Sequence, residues 1–412
     1  MEKTEINIGK LSTRKYYLDY WRTFMVLLVV IHHSYLSYVI GYDWYVSDVV
    51  KALPYLWSSI TLDVFMMPIM FFIAGYFAFP SIKYGLKRFI IKKIIRIALP
   101  FLIGIIFLAP IMMYISIIHY FPLWDISFFD FWLNHYFTDQ YMDPSHYWFL
   151  SLLFFFFIVF AAIYAIMRRM FENTYKKSEL KRASKRSIIV FVIAFLAITI
   201  SLFFLTGLIY PDGYWTYFLG IKFLKVQITR LILYLLFFIM GIIVFIKRIE
   251  LSKKFLKATP LLIFLTIIST VAFRYFKFEI IIQQFLDLGF LRADLQFYNA
   301  IVHVLYCFLV FITLMAIFQK YLNRHSKVLS RVAANSYKIY IVHLVWVVLI
   351  QYWIVDLQID IFLKFLITAI GAFILSLGTS EILRLIKHSL LKTLNLNKEV
   401  LNNMKILRNK SD

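Results

Sequence analysis

The segment Ser187–Ile209, SIIVFVIAFLAITISLFFLTGLI, holds no charged residue and follows a block containing Lys176, Lys177, Lys181, Arg182, Lys185 and Arg186. Crossing ~30 Å of hydrocarbon takes roughly 17–25 apolar residues, and this run is long enough. Lipid offers the backbone no hydrogen-bond partner, so a helix is the form such a run must take. Comparable runs lie near 16–40, 57–79, 94–118, 148–167, 226–246, 260–276, 297–319, 335–354 and 361–385. The run at 260–276 is the weakest, being short and ending in Arg274. The expected fold is therefore an all-α polytopic membrane protein with about ten transmembrane helices.

Composition agrees. Of 412 residues, 62% are hydrophobic and 20% aromatic, well above an ordinary soluble domain. The net charge of +22 would suggest nucleic acid in a soluble protein. Here the basic residues stand in blocks between apolar runs, which argues for membrane orientation and against a nucleic-acid partner. The blocks are the N-terminal tail (Lys3, Lys10, Arg14, Lys15), Lys83 to Arg96, Arg168 to Arg186, Lys247 to Lys257, Lys320 to Lys338, and Arg384 onward. The alternate loops are poor in Lys and Arg, and the loop 119–147 has neither while holding Asp125, Asp130, Asp139 and Asp143. The positive-inside rule then places both termini in the cytoplasm.

The expected organisation is a short cytoplasmic tail (1–15), one membrane domain (16–385) and a basic cytoplasmic tail (386–412). The first apolar run carries His32 and His33 and no small-residue cleavage site, so it is expected to remain as a helix. Cys307, the single cysteine, lies in an apolar run and excludes an intrachain disulfide. No internal repeat is evident, which weakens a transporter built from duplicated halves. Scarce Gly with abundant Lys, Ile and Phe suggests a bacterial source and hence a bacterial inner or plasma membrane.

Ionisable residues inside a membrane are functional candidates. The first run reads Tyr17-Leu18-Asp19-Tyr20-Trp21-Arg22, then an apolar stretch, then His32-His33. On a helix, Arg22 and His33 share one face about 16 Å apart along the axis. Asp19, one turn before Arg22, can pair with it, while His32 diverges around the helix. Two readings compete for this stripe. Either Arg22 snorkels to the headgroups and His33 is a satisfied buried histidine, or both serve chemistry. No metal site is read, since no His-Glu-x-x-His motif or cysteine pair occurs.

Leu18-Asp19-Tyr20-Trp21-Arg22 with His33 resembles the Arg-x10-His signature of the membrane acyltransferase family 3. Met67-Pro68-Ile69-Met70-Phe71-Phe72-Ile73-Ala74-Gly75-Tyr76 is similar to that family's Phe-Phe-hydrophobic-small-Gly-aromatic segment. Its Met-Pro start resembles the branch containing glucan-succinylating proteins. Many relatives carry Asp where Pro68 stands, so no carboxylate role transfers there. Lys92-Lys93-Ile94-Ile95-Arg96 before Pro100 is similar to the Arg-x-x-Arg segment, with Lys93 for the first Arg. His146-Tyr147-Trp148-Phe149-Leu150 and Ser336-Tyr337-Lys338-Ile339-Tyr340-Ile341-Val342-His343 resemble two further segments.

The resemblance implies O-acyl transfer from acyl-CoA, acetyl-CoA or succinyl-CoA, to a hydroxyl of an envelope or exported glycan. Such a reaction needs a base and oxyanion stabilisation. His33 is the expected base or acyl relay, because histidine titrates near neutrality. Arg22 would position the donor or stabilise charge, with Asp19 orienting it. Arg88, Lys92, Lys93 and Arg96 at the start of the third run suit the donor's phosphates. His146, Trp148, Tyr340 and His343 are candidates to bind the acceptor or to support His33. The aromatic and acidic loop 119–147 suits a carbohydrate, and equally an aromatic belt. The rival function is a transporter or channel for a lipid-linked or small anionic solute.

Overall fold

The computed structural model describes residues 15–138, 141–180, 184–210, 212–286 and 293–408. Lys3, Lys10, Arg14, Asp139, Lys181, Arg182, Arg292 and Lys410 lie outside them. The chain is helical almost throughout: α1 (Tyr16–Tyr35), α2 (Leu53–Asp63), α3 (Met66–Tyr76), α4 (Leu86–Tyr120), α5 (Trp148–Leu180) and α6 (Lys185–Gly207) come first. A two-stranded antiparallel hairpin follows, pairing β1 (Trp215–Tyr217) with β2 (Lys225–Gln227). The chain continues as α7 (Ile228–Ile246), α8 (Thr259–Leu286), α9 (Ala293–Tyr321), α10 (Lys327–Ile354) and α11 (Ile361–Arg408).

Local sequence sets several of these boundaries. Pro54 opens α2, where its fixed φ and missing N–H do no harm. Ser184 and Ser326 cap α6 and α10, their hydroxyls accepting from the backbone of Ser187 and Leu329. Each satisfies one donor that a helix start leaves open. The apolar part of α5 ends at Met167, where the helix kinks before a polar extension. Two π-helical turns, Ile94–Ala98 and Gly104–Leu108, interrupt α4 next to Pro100 and Pro110.

Nine helices among the described residues are long and apolar enough to cross a membrane, with α2 and α3 forming one such span. The tenth expected span, α1, falls short by composition because Asp19, Arg22, His32 and His33 dilute its apolar residues. Its position supplies what its composition does not. Tyr20 Oη lies 3.0 Å from Ser330 Oγ, His33 Nδ1 2.9 Å from His343 Nε2, and Gln351 Nε2 donates to Ser34 O at 3.1 Å. Helix α1 therefore runs parallel to α10 along most of its length, packed also on α3, α9 and α11. The 260–276 run is part of a longer helix than its sequence suggests. Arg274 donates to Thr61 Oγ1 at 2.9 Å and Lys277 to Asp212 and Asn299, so both charges are taken up inside the protein.

The interior is built from α1, α3, α7 and α10. Gly75 of α3 and Gly241 of α7 each face the other helix's backbone, the close approach that small residues permit between membrane helices. Phe71 and Phe72 flank this contact, Phe71 stacked on Tyr234 and Phe72 edge to face with Phe311. Helices α6, α8 and α11 present apolar side chains outward, as a lipid-facing shell requires. Two faces emerge. Lys15 meets Glu250 at 2.7 Å and Tyr20 meets Ser326, so the start of α1 shares a basic face with the segments after α7 and before α10. On the opposite face, Lys225 pairs with Asp143 and joins the hairpin to the loop after α4.

Candidate active site

Histidines gather where α1, α10 and the start of α5 meet. His33 Nδ1 is 2.9 Å from His343 Nε2, with the rings nearly coplanar at 17°. His343 Nδ1 is 2.7 Å from the carbonyl oxygen of Tyr340, one helical turn earlier. The same oxygen lies 3.2 Å from His146 Nε2. Tyr340 Oη donates to His146 O at 2.6 Å, and Tyr147 Oη donates to Ile341 O at 2.8 Å. The two sequence segments around His146 and His343 are thus laced to one another, with His33 against their junction. His343 is fully buried, His146 nearly so, and His33 only partly.

The remaining candidates fall elsewhere. Asp19 and Arg22, near the basic-face end of α1, lie 3.9 Å apart and are partly exposed. Such a pair contributes about 0–1 kcal/mol, so it orients Arg22 more than it stabilises the fold. Trp148 turns away from the histidines and packs on Trp215 and Tyr234. His32 bonds Tyr35 Oη at 2.8 Å and is a satisfied buried histidine.

On the basic face, Arg88 and Lys92 border an open groove with Tyr84, Lys87 and Ile91. Lys93 does not join them. Its ammonium sits 3.5 Å from the Phe157 ring centre and 5.0 Å from that of Phe89, a cation–π position on α5. Arg96 is exposed, and its carbonyl accepts from Tyr337 Oη at 2.5 Å. Tyr337 precedes His343 on α10 by ~9 Å of helix rise, so the basic segment touches the helix that carries the histidine partner.

A family model described as an acyltransferase domain, acyltransferase family 3, matches residues 15–381. The chain belongs to that family. It is a multi-pass membrane acyltransferase, transferring groups other than aminoacyl groups. No curated protein and no solved structure matches the chain.

Two residues of this acyltransferase touch His33 without having been singled out in the sequence. Trp44, in the loop after α1, lies parallel to the His33 ring at 16° and 5.6 Å. Its indole Nε1 donates to Gln351 Oε1 at 2.8 Å, and Gln351 Nε2 donates to the carbonyls of His33 and Ser34 at 3.2 and 3.1 Å. Gln351 is a lone polar residue late in an apolar run, the one signal that marked it. The loop itself is held by Asp48, whose carboxylate receives Lys364 Nζ at 2.7 Å in a buried pair, and by Tyr120 Oη on the Trp44 carbonyl at 2.8 Å.

The aromatic residues of 119–147 mostly fill that loop's own interior. Tyr136 is fully buried, Trp132 Nε1 donates to Ile106 O at 2.8 Å, and Trp124 packs on Tyr141. His303, away from this cluster, lies against Phe203 and 3.5 Å from Asp212 Oδ2. Asp212 also receives Arg230 Nε at 2.9 Å and Lys277 Nζ at 2.7 Å, while Arg230 pairs further with Asp63. Burial alone would raise the Asp212 carboxyl; Arg230, Lys277 and His303 outweigh it and hold it well below the usual carboxylate range. Asp63 is thereby committed to Arg230.

Proposed function

We propose that this acyltransferase moves an acetyl or succinyl group from cytoplasmic acyl-CoA to a hydroxyl of an envelope or exported glycan, at a bacterial inner or plasma membrane. The observation that carries the reading is the His33–His343 contact at 2.9 Å, set between a basic groove on one face and aromatic loops on the other. His33 accepts the proton of the acceptor hydroxyl as its oxygen attacks the thioester carbonyl carbon. The carbon–sulfur bond then breaks, and the proton passes from His33 to the departing thiolate. Arg22, permanently charged, stabilises negative charge along the donor's path, with Asp19 beside it. Arg88 and Lys92 in the groove, with Arg96, suit the phosphates of the donor. Lys93 supports this segment through its seat on Phe157. Trp44 offers an aromatic wall next to His33 for a sugar acceptor.

The test is release of free thiol from acetyl-CoA or succinyl-CoA by detergent-purified protein, with and without crude envelope glycan. Wild type is expected to release thiol, and His33→Ala to bind CoA yet release none. Wild type that neither binds CoA nor releases thiol would favour solute transport instead. An active His33→Ala would remove His33 from the chemistry.

A further inference from the structure

We infer that His343, held by the Tyr340 carbonyl, is a positioning residue that fixes the tautomer of His33 and makes Nε2 the atom that takes the hydroxyl proton. The inference rests on the proposed role of His33 as base, and the argument is one of donors and acceptors. A carbonyl oxygen can only accept. His343 Nδ1, 2.7 Å from Tyr340 O, must therefore carry hydrogen. In a neutral imidazole the other nitrogen then holds a lone pair. That nitrogen, Nε2, lies 2.9 Å from His33 Nδ1, so His33 Nδ1 must carry the hydrogen between them. The lone pair of neutral His33 is left on Nε2.

The alternative tautomer of His343 would set its lone pair against the carbonyl oxygen at 2.7 Å, two acceptors with no proton between them. His146 Nε2 faces the same carbonyl at 3.2 Å, a longer contact than the 2.7 Å of His343 Nδ1, and the Tyr340 hydroxyl anchors the His146 backbone in return. Gln351 fixes the His33 backbone and Trp44 lies along its ring, so rotation of the imidazole is restrained as well. When His33 accepts a proton at Nε2, its Nδ1–H remains bonded to the His343 lone pair, which stabilises the charge. Among the described residues no carboxylate takes this part; a second histidine and a main-chain carbonyl do.

The experiment compares His343→Gln, His343→Asn and His343→Ala with wild type and His33→Ala. Each is purified in detergent, shown to be monodisperse and to bind CoA, and assayed for thiol release. A glutamine side-chain oxygen reaches the place of Nε2 and can accept from His33 Nδ1; asparagine is too short. The expected result is glutamine within about tenfold of wild type in kcat, with asparagine and alanine down by roughly a hundredfold or more, the scale of losing an oriented base. KM for the donor should stay unchanged in all three. Equal loss in the glutamine and asparagine variants, both folded and binding CoA, would overturn the inference, as would full activity of His343→Ala. In those cases an inactive His33→Ala would leave the base assignment standing. Should wild type show no turnover, or His33→Ala keep it, the base assignment fails and the inference falls with it.

Discussion

Gly75 lies so close to the backbone of Phe238 that a methyl group added to it would sit 2.0 Å from the Phe238 carbonyl oxygen. The contact is reciprocal: a methyl on Gly241 would sit 2.2 Å from the Phe72 carbonyl oxygen. Because the obstacle is main chain on both sides, neither helix can yield by turning a side chain. Gly75→Ala and Gly241→Ala are therefore expected to separate α3 from α7, with an overpacking cost of about 1–3 kcal/mol or more. Thermal unfolding in detergent, followed by fluorescence-detected size exclusion, should show a fall of several degrees for each. Gly378→Ala, where nothing lies within 4 Å, should unfold like wild type.

The groove on the basic face separates binding from packing. Arg88 and Lys92 border it, whereas Lys93 is seated on Phe157. Arg88→Ala and Lys92→Ala should each weaken CoA binding by about tenfold, corresponding to ~1.4 kcal/mol, and the loss should shrink at high salt as screening already reduces the wild-type affinity. Lys93→Met keeps much of the apolar stem and should leave CoA affinity near wild type. Titration of CoA by calorimetry checks this; equal losses for all three would show that the ammonium of Lys93 leaves its aromatic seat to meet the donor.

Much of this was legible in the sequence, for identifiable reasons. Spans such as α6 announce themselves because lipid accepts only long uncharged helices, and the histidine segments were visible as polar residues in costly places. Helix α1 shows the limit: read as a span in the sequence, it falls below the hydropathy of the other nine because of its polar stripe, and its alignment with α10 sets it beside a helix that is apolar enough to cross. Lys93 looked like a member of a basic cluster because spacing does not reveal that Phe157 awaits it on another helix. Trp44 and Gln351 were missed because their meaning lies in a contact between residues some three hundred positions apart.

Gln351 joins Trp44 to the backbone of His33, so its removal should disturb catalysis with little effect on donor binding. Gln351→Leu leaves the Trp44 indole N–H and two main-chain carbonyls without this partner. Misplacing a catalytic group by about 1 Å costs on the order of a hundredfold, and a loss of tenfold to a hundredfold in kcat is expected for Gln351→Leu. Trp44→Phe keeps an aromatic wall but drops the indole donor, and should fall between wild type and Gln351→Leu. Thiol-release kinetics at saturating donor provide the comparison; a change confined to donor KM would contradict this role for Gln351.

Asp212 ties the far ends of α7, α8 and α9 together through Arg230, Lys277 and His303. Asp212→Asn would leave buried cations with one fewer counter-charge, and removing one partner of a buried pair costs about 3–5 kcal/mol. The pH dependence follows from the depressed folded-state carboxyl. An unfolded aspartate titrates near ~3.9, so the ionised Asp212 contributes its full stabilisation above that pH. The contribution is lost progressively as pH falls from there towards the lower folded value. Wild type should therefore hold its unfolding temperature from neutrality down to about pH 4 as far as this residue is concerned, and decline below. Asp212→Asn should be destabilised already at pH 7, with the gap to wild type closing only in strong acid. A gap that instead widened as pH fell below 4 would show that the native state does not rely on the ionised carboxylate.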